Sequence, residues 1–218
     1  MKSFNTQKSS IKNKQKESIK LKIAVIGKSL VGKSAITNVF VSSKFITEYD
    51  TTIEDKYTVE RFISNYPCSI DILDTAGQDD YYTLIDNWIN SSDGFVLAFS
   101  ITDRESFDVC KSRYERIQLN KGNNFRIVLA GNKSDCKDNR TVSEEEAKEL
   151  AASWDTQYIE CSAKNMVNVE ELFLKISEKL LNKLLKKDVK NSEEEKKPLC
   201  FCFWIIDLIA INKLCNLK

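Results

Sequence analysis

Between the apolar run L-K-I-A-V-I (21–26) and the helical pattern K-S-A-I-T-N-V-F-V stands the octapeptide G-K-S-L-V-G-K-S, from Gly27 to Ser34. A glycine-bounded loop that closes a buried strand and opens a helix turns several backbone N–H groups, and the positive end of the helix dipole, towards one point. That is a cradle for an anion of phosphate type. The context restricts the fold as much as the ligand, because a strand followed at once by a helix belongs to a parallel sheet whose crossovers cover its faces.

The rest of the chain keeps this rhythm. Apolar runs suited to buried strands recur at S-I-D-I-L-D, F-V-L-A-F-S, F-R-I-V-L-A-G and Y-I-E-C. Helical patterns lie between most of them, at E-S-F-D-V-C-K-S-R-Y-E-R-I and at S-E-E-E-A-K-E-L-A-A-S-W, where Ser143 and Glu146 form a capping box. A last helix is expected from Val169 to about Lys187, with Leu172, Phe173, Ile176, Leu180 and Leu184 on one face. K-Y-T-V-E-R-F-I-S, followed by Asn65–Pro67, reads as a strand entering a hairpin turn. The fold class is therefore α/β, a mostly parallel six-stranded sheet with helices on both faces, and its ligand belongs at the carboxyl ends of the strands. Residues 1–20 read as a basic, disordered arm, 21–187 as the folded domain, and 188–218 as a variable tail.

Composition removes other classes. A formal charge of +1 over 218 residues gives no electrostatic footprint for nucleic acid, and the absence of histidine excludes histidine-ligated metals and histidine-based triads. Four of the seven cysteines (Cys68, Cys110, Cys136, Cys161) are scattered through the body, and Cys200, Cys202 and Cys215 crowd the end. With no signal-peptide pattern in the lysine-rich start, a reducing cytosolic compartment is expected. No run reaches the roughly 18 apolar residues of a membrane-spanning helix.

Three further motifs give the cradle a ligand. In the loop, Lys33 is positioned to neutralise β- and γ-phosphates and the Ser34 hydroxyl to ligate Mg2+. I-D-I-L-D-T-A-G-Q ends a buried strand at Asp74, whose carboxylate can hold the Mg2+ shell through water. In the same stretch Gly77 can bring its N–H to a terminal phosphate and Gln78 can orient an attacking water. G-N-K-S-D chooses the base. The Asp135 carboxylate accepts from the ring N–H and exocyclic amine of guanine, whereas adenine offers an acceptor and a C–H there. Asn132 can brace that loop, the Lys133 stem can cover the base, and C-S-A-K supplies the Ala163 N–H for the base carbonyl. An adenine-nucleotide kinase is opposed by Asp135.

On these motifs, and on K-F-I-T-E-Y-D-T-T-I-E-D-K-Y, the chain from Leu21 to about Lys187 resembles the Ras-type small GTPases, and within them the Ras subfamily. The resemblance implies a P-loop NTPase (small G-protein) fold, and a monomeric GDP/GTP switch that hydrolyses GTP with Mg2+. It implies phosphate contacts from Gly27, Lys28, Ser29, Leu30, Val31, Gly32, Lys33, Ser34, Tyr49, Thr52 and Gly77. Guanine contacts would come from Phe45, Asn132, Lys133, Asp135, Ser162, Ala163 and Lys164, and Mg2+ ligands from Ser34, Thr52 and, through water, Asp74. Gln78 and Lys33 would be catalytic. Tyr49, Asp50, Thr51, Thr52, Ile53, Glu54, Asp55, Lys56 and Tyr57 would form the effector region. Expected partners are effectors, a guanine-nucleotide exchange factor and a GTPase-activating protein, with no nucleic acid.

The chain departs from the family in three places. Ser29 and Leu30 stand where Ras-branch members carry glycines, and Thr51 stands where they carry proline. A side chain at Ser29 crowds the space over the γ-phosphate, and Leu30 must differ in backbone or accept strain at positive φ. Without proline the first switch is less preorganised. Two functional classes stay open: a hydrolysing switch, favoured by Gln78, and a GTP-dependent effector-binding module with very slow hydrolysis, favoured by Ser29 and Leu30. The tail, L-C-F-C-F-W-I-I-D-L-I-A-I and then C-N-L-K, suggests lipidation at Cys215 (prenyl) or at Cys200 and Cys202 (palmitoyl). The expected location is then the cytoplasmic face of a membrane, the plasma membrane first, and otherwise the cytosol. Asn216 and the terminal lysine fit a prenylation box badly.

Overall fold

A computed structural model describes residues 18–46, 52–77 and 82–194. The expected arm up to residue 17, Tyr49, Asp50, Thr51 and Gln78, and the tail with Cys200, Cys202 and Cys215 lie outside the described residues. Six strands, β1 (Ile19–Ile26), β2 (Glu54–Ile63), β3 (Tyr66–Thr75), β4 (Gly94–Ser100), β5 (Arg126–Asn132) and β6 (Tyr158–Glu160), form one sheet in the order β2-β3-β1-β4-β5-β6. All neighbours are parallel except β2, which pairs antiparallel with β3 at the edge. From β1 the chain goes first to one side and then to the other. The loop after β1 therefore opens at the point where the strand order reverses, the place such sheets reserve for ligands.

Alternate strand residues feed two cores. Ile23, Val25, Val96, Ala98 and Val128 face α1 (Lys33–Ser42) and α5 (Val169–Glu194). Ala24, Ile26, Phe95, Leu97 and Leu129 face α2 (Tyr82–Ser91), α3 (Arg104–Lys121) and α4 (Glu144–Ser153). This is the period-2 reading of a two-sided buried sheet. On the first face Phe40 of α1 stacks on Phe173 of α5 with ring centroids 4.3 Å apart. Phe40→Ala is expected to lower unfolding free energy by about 3–5 kcal/mol, read by denaturant titration of the nucleotide-bound protein.

Several local expectations need correction. β1 begins at Ile19, inside the segment assigned to the arm, because Ile19 pairs with Cys68 of β3. β3 begins at Tyr66 rather than Ser69; Pro67 is tolerated because β1 joins β3 only from Cys68 onwards. The hairpin turn is Ser64–Asn65, both left-handed (φ 47° and 68°), as a tight two-residue turn requires. Helix α2 was not expected, since its Asp86, Asn87 and Asn90 dilute the pattern, yet Ile85, Trp88 and Ile89 are all buried. Helix α5 continues to Glu194, beyond the expected end at Lys187. On α5, Leu184 is 36% exposed and Leu181 takes the core position instead. Only half the capping box forms: Ser143 Oγ accepts the Glu146 N–H at 3.1 Å, while the Glu146 carboxylate accepts from Arg104 at 2.6 Å. Among the described residues no helix is long and apolar enough to cross a membrane.

Candidate functional site

The loop after β1 is built to present donors. Gly32 adopts φ 94°, and a side chain there would collide with the Asn132 amide. No side chain caps α1, so its first-turn N–H groups remain available to an anion. Lys33 is only 6% exposed and its Nζ donates to the Lys28 carbonyl at 3.0 Å. Burial pushes the Lys33 ammonium down to about 8, with the Asp74 charge opposing the shift. A Cβ at Gly77 would strike the Ser29 nitrogen, the Lys28 carbonyl carbon and Lys33 Nζ, so only glycine lets the end of β3 approach the loop this closely. Gly27 opens the loop directly after β1, and the Val31 side chain is buried in the core.

Leu30 resolves the choice between altered backbone and strain. It takes φ 63°, a left-handed value costing roughly 1–2 kcal/mol for a residue with a side chain, and stands 66% exposed.

Beside the loop lies an oxygen cluster. The Ser34 and Thr52 hydroxyls are 3.0 Å apart. Asp74 is fully buried, and neither carboxylate oxygen accepts a hydrogen bond of ordinary geometry. Burial raises the Asp74 pKa to about 6, an effect that the nearby Ser34 hydroxyl and the Lys33 charge offset only in part. A buried carboxylate left without a donor, close to one of two paired hydroxyls, fits a hard divalent cation. Among the described residues no three His, Cys, Asp or Glu side chains cluster as a metal cage. Mg2+ keeps waters and takes few protein ligands, and the Ser34 and Thr52 hydroxyls with Asp74 offer such a set.

The other end is set by β5 and the loop after β6. Asn132 is buried; its Nδ2 donates to the Val31 carbonyl at 2.9 Å and its Oδ1 accepts the Ala163 N–H at 3.2 Å. It thus ties the phosphate loop to the S-A-K loop as a brace. The Ala163 N–H, expected to serve a base carbonyl, points at Asn132 Oδ1, and Ala163 itself lines the cavity. Asp135 Oδ1 accepts from Ser162 Oγ at 2.5 Å, and Cys136 Sγ lies 3.5 Å from Oδ2. Burial works to raise the Asp135 pKa, but these hydrogen bonds and the Lys164 charge outweigh it and hold the carboxylate below its ordinary range. Lys133 adopts φ 67° on the same loop.

Most of these groups border one cavity of about 700 Å3, a size suited to a cofactor-sized ligand. Ser29, Leu30, Gly32, Lys33, Ser34 and Gly77 line one end, and Phe45, Asn132, Lys133, Asp135, Ala163 and Lys164 the other. Thr52 completes the near wall together with Ile53, Asp55 and Tyr57 of the expected effector stretch. Gly27, Lys28, Val31, Asp74 and Ser162 stand behind that lining. Glu54 and Lys56 turn to each other at 2.6 Å, and the second Glu54 oxygen accepts the Trp88 indole N–H at 2.8 Å, joining β2 to α2. Ala35, Asn38, Ile46, Thr75, Ala76 and Cys136 also line the cavity without having been singled out. Most of them adjoin a motif residue already named, as Ala35 follows Ser34, Ile46 follows Phe45 and Cys136 follows Asp135.

The Ras family model matches residues 22–182. The chain is 40% identical over 195 residues to Ras-related protein O-RAL of Diplobatis ommata, covering 86% of this chain and 95% of that protein. It is 42% identical over 153 residues to Ras-like protein 2 of Drosophila melanogaster, covering 70% and 80% respectively. To Ras-related protein ralB-A of Xenopus laevis it is 38% identical over 193 residues, covering 85% and 94%. The chain belongs to the Ras family. It is a small GTPase, a GDP/GTP switch that hydrolyses GTP.

Proposed function

We propose that GTP and GDP occupy the 700 Å3 cavity with the triphosphate end on the Gly27–Ser34 loop and the base against Asp135. The observation that carries this reading is convergence: Lys33, the Ser34–Thr52 hydroxyl pair and the Asp135 carboxylate, from separate strand ends, border one space. Lys33 neutralises phosphate oxygens, Asp135 accepts the two guanine donors, Phe45 and the Lys133 stem cover the base faces, and Gln78 orients the attacking water. Ser34, Thr52 and, through water, Asp74 would hold Mg2+, which supplies neutralisation of phosphate charge. Identifying the nucleotide that copurifies tests the reading: guanine nucleotide supports it, and adenine nucleotide opposes it.

We propose, as a second reading beside ordinary hydrolysis, that Ser29 and Leu30 slow turnover in this member. The Ser29 backbone nitrogen lies where a Cβ on Gly77 would fall, so the loop and the end of β3 are closely apposed at this point. Leu30 adds an exposed apolar side chain at the cavity mouth, where an activating protein must approach. Ser29→Gly with Leu30→Gly is expected to raise single-turnover GTP cleavage roughly tenfold or more, a loss of about 1.4 kcal/mol from the barrier. Equal rates for native and double-substituted protein, with and without activator, would refute slow turnover.

Effectors engage the 49–57 stretch, and exchange and activating factors act on the same switches, the class of partner expected for this family. Residues 199–211 and the tail cysteines attach the protein to the cytoplasmic face of a membrane; the alternation of aromatic and cysteine residues in L-C-F-C-F-W supports this. Cys200→Ser/Cys202→Ser and Cys215→Ser are each expected to shift protein from the membrane to the soluble fraction. Full solubility of the native chain would refute attachment.

A further inference from the structure

Lys28 is the one charged residue of the phosphate loop besides Lys33, and the nucleotide reading gives its side chain no task. Its main chain is central: the carbonyl accepts Lys33 Nζ at 3.0 Å, and the carbonyl carbon is one of the atoms that Gly77 packs against. Its side chain leaves the cavity in the other direction. Nζ donates to Glu105 Oε2 at 2.6 Å and to Asp103 Oδ2 at 3.2 Å. Asp103 is itself fixed, because its Oδ1 caps α3 by accepting the Ser106 N–H at 3.2 Å. The ammonium is therefore held by two carboxylates of a helix start, 75 and 77 residues away in sequence.

We propose that Lys28 is a positioning residue for the nucleotide site, mooring the phosphate loop to the first turn of α3 and thereby holding Lys33 and Gly77 in place. The proposal rests on the cavity being the nucleotide site. Exposed ion pairs contribute little to overall stability. This one acts instead on a loop whose neighbours contact the ligand, so its effect is read in nucleotide release.

The test uses the full chain loaded with a fluorescent GDP analogue in Mg2+ and chased with excess GDP, at low and high ionic strength. Lys28→Met is expected to release the analogue roughly three- to tenfold faster at low salt, with the difference shrinking at about 1 M salt. Lys28→Arg restores the native rate. Asp103→Asn/Glu105→Gln keeps a capping side chain at position 103. It also releases faster, although it leaves the loop more positive. Native release by Lys28→Met, acceleration that salt and Lys28→Arg leave untouched, or slower release by the double variant would each overturn the mooring. Failure of the native chain to hold the analogue would overturn the nucleotide reading as well; retention with unchanged variants overturns the mooring alone.

Discussion

Asp135→Asn is expected to invert the base preference of this protein. A carboxylate offers only acceptors, and Ser162 already occupies one side of Oδ1 at 2.5 Å, which fixes the plane of the group. Guanine presents its ring N–H and amine to that plane. An amide replaces one acceptor with an NH2 donor, so the guanine amine meets a donor while the 2-carbonyl of xanthine finds one. Mismatched polar pairs in such sites cost on the order of 10³-fold or more. Calorimetric titration of the variant is expected to show GDP binding weakened by about that factor and xanthosine diphosphate bound more tightly than GDP. The Cys136 thiol adjoining Oδ2 does not rescue guanine binding, since it is itself a donor.

Lys33→Met is expected to have the second largest effect, with opposite signs on binding and stability. Lys33 is almost fully buried against the Lys28 carbonyl, and burial has pushed its pKa down to about 8 from an ordinary 10.5. A folded-state value below the ordinary one means that the charged form costs stability at neutral pH, a cost relieved as pH rises from about 8 towards 10.5. Bound phosphate supplies the counter-charge. Removing the ammonium should weaken GDP binding by about 2–5 kcal/mol. It should also leave the nucleotide-free chain as stable as the native one at pH 7, or more so. Paired titration and thermal melts of the stripped proteins check both signs.

How much of this was legible in the residues themselves depended on local pattern. Buried strands and motif-opening helices were visible because apolar runs and glycines mark them: β4 and β5 fall within a residue of F-V-L-A-F-S and F-R-I-V-L-A-G. Helix α2 was not, because its acidic and amide residues weaken helical periodicity and only packing against β1 and α3 reveals Ile85, Trp88 and Ile89 as core. The cavity's chemistry was legible at Lys33, Asp74 and Asp135, where a residue type has one plausible task. Contacts between distant segments were not. Asn132 bonding Val31 across 101 positions, Lys28 reaching Glu105 and Glu54 meeting Trp88 depend on the tertiary arrangement, which no spacing encodes. Leu30 shows the converse. Its identity posed a choice between altered backbone and strain, and its φ of 63° decides for strain.

The most direct test of the account is equilibrium binding of Mg2+-GDP and Mg2+-ADP to the nucleotide-stripped full chain. The account predicts one molecule of GDP per chain, preferred over ADP by roughly a thousandfold or more, because Asp135 has no donor to accept from on adenine. Equal affinity for the two, or no saturable binding of either, would contradict it.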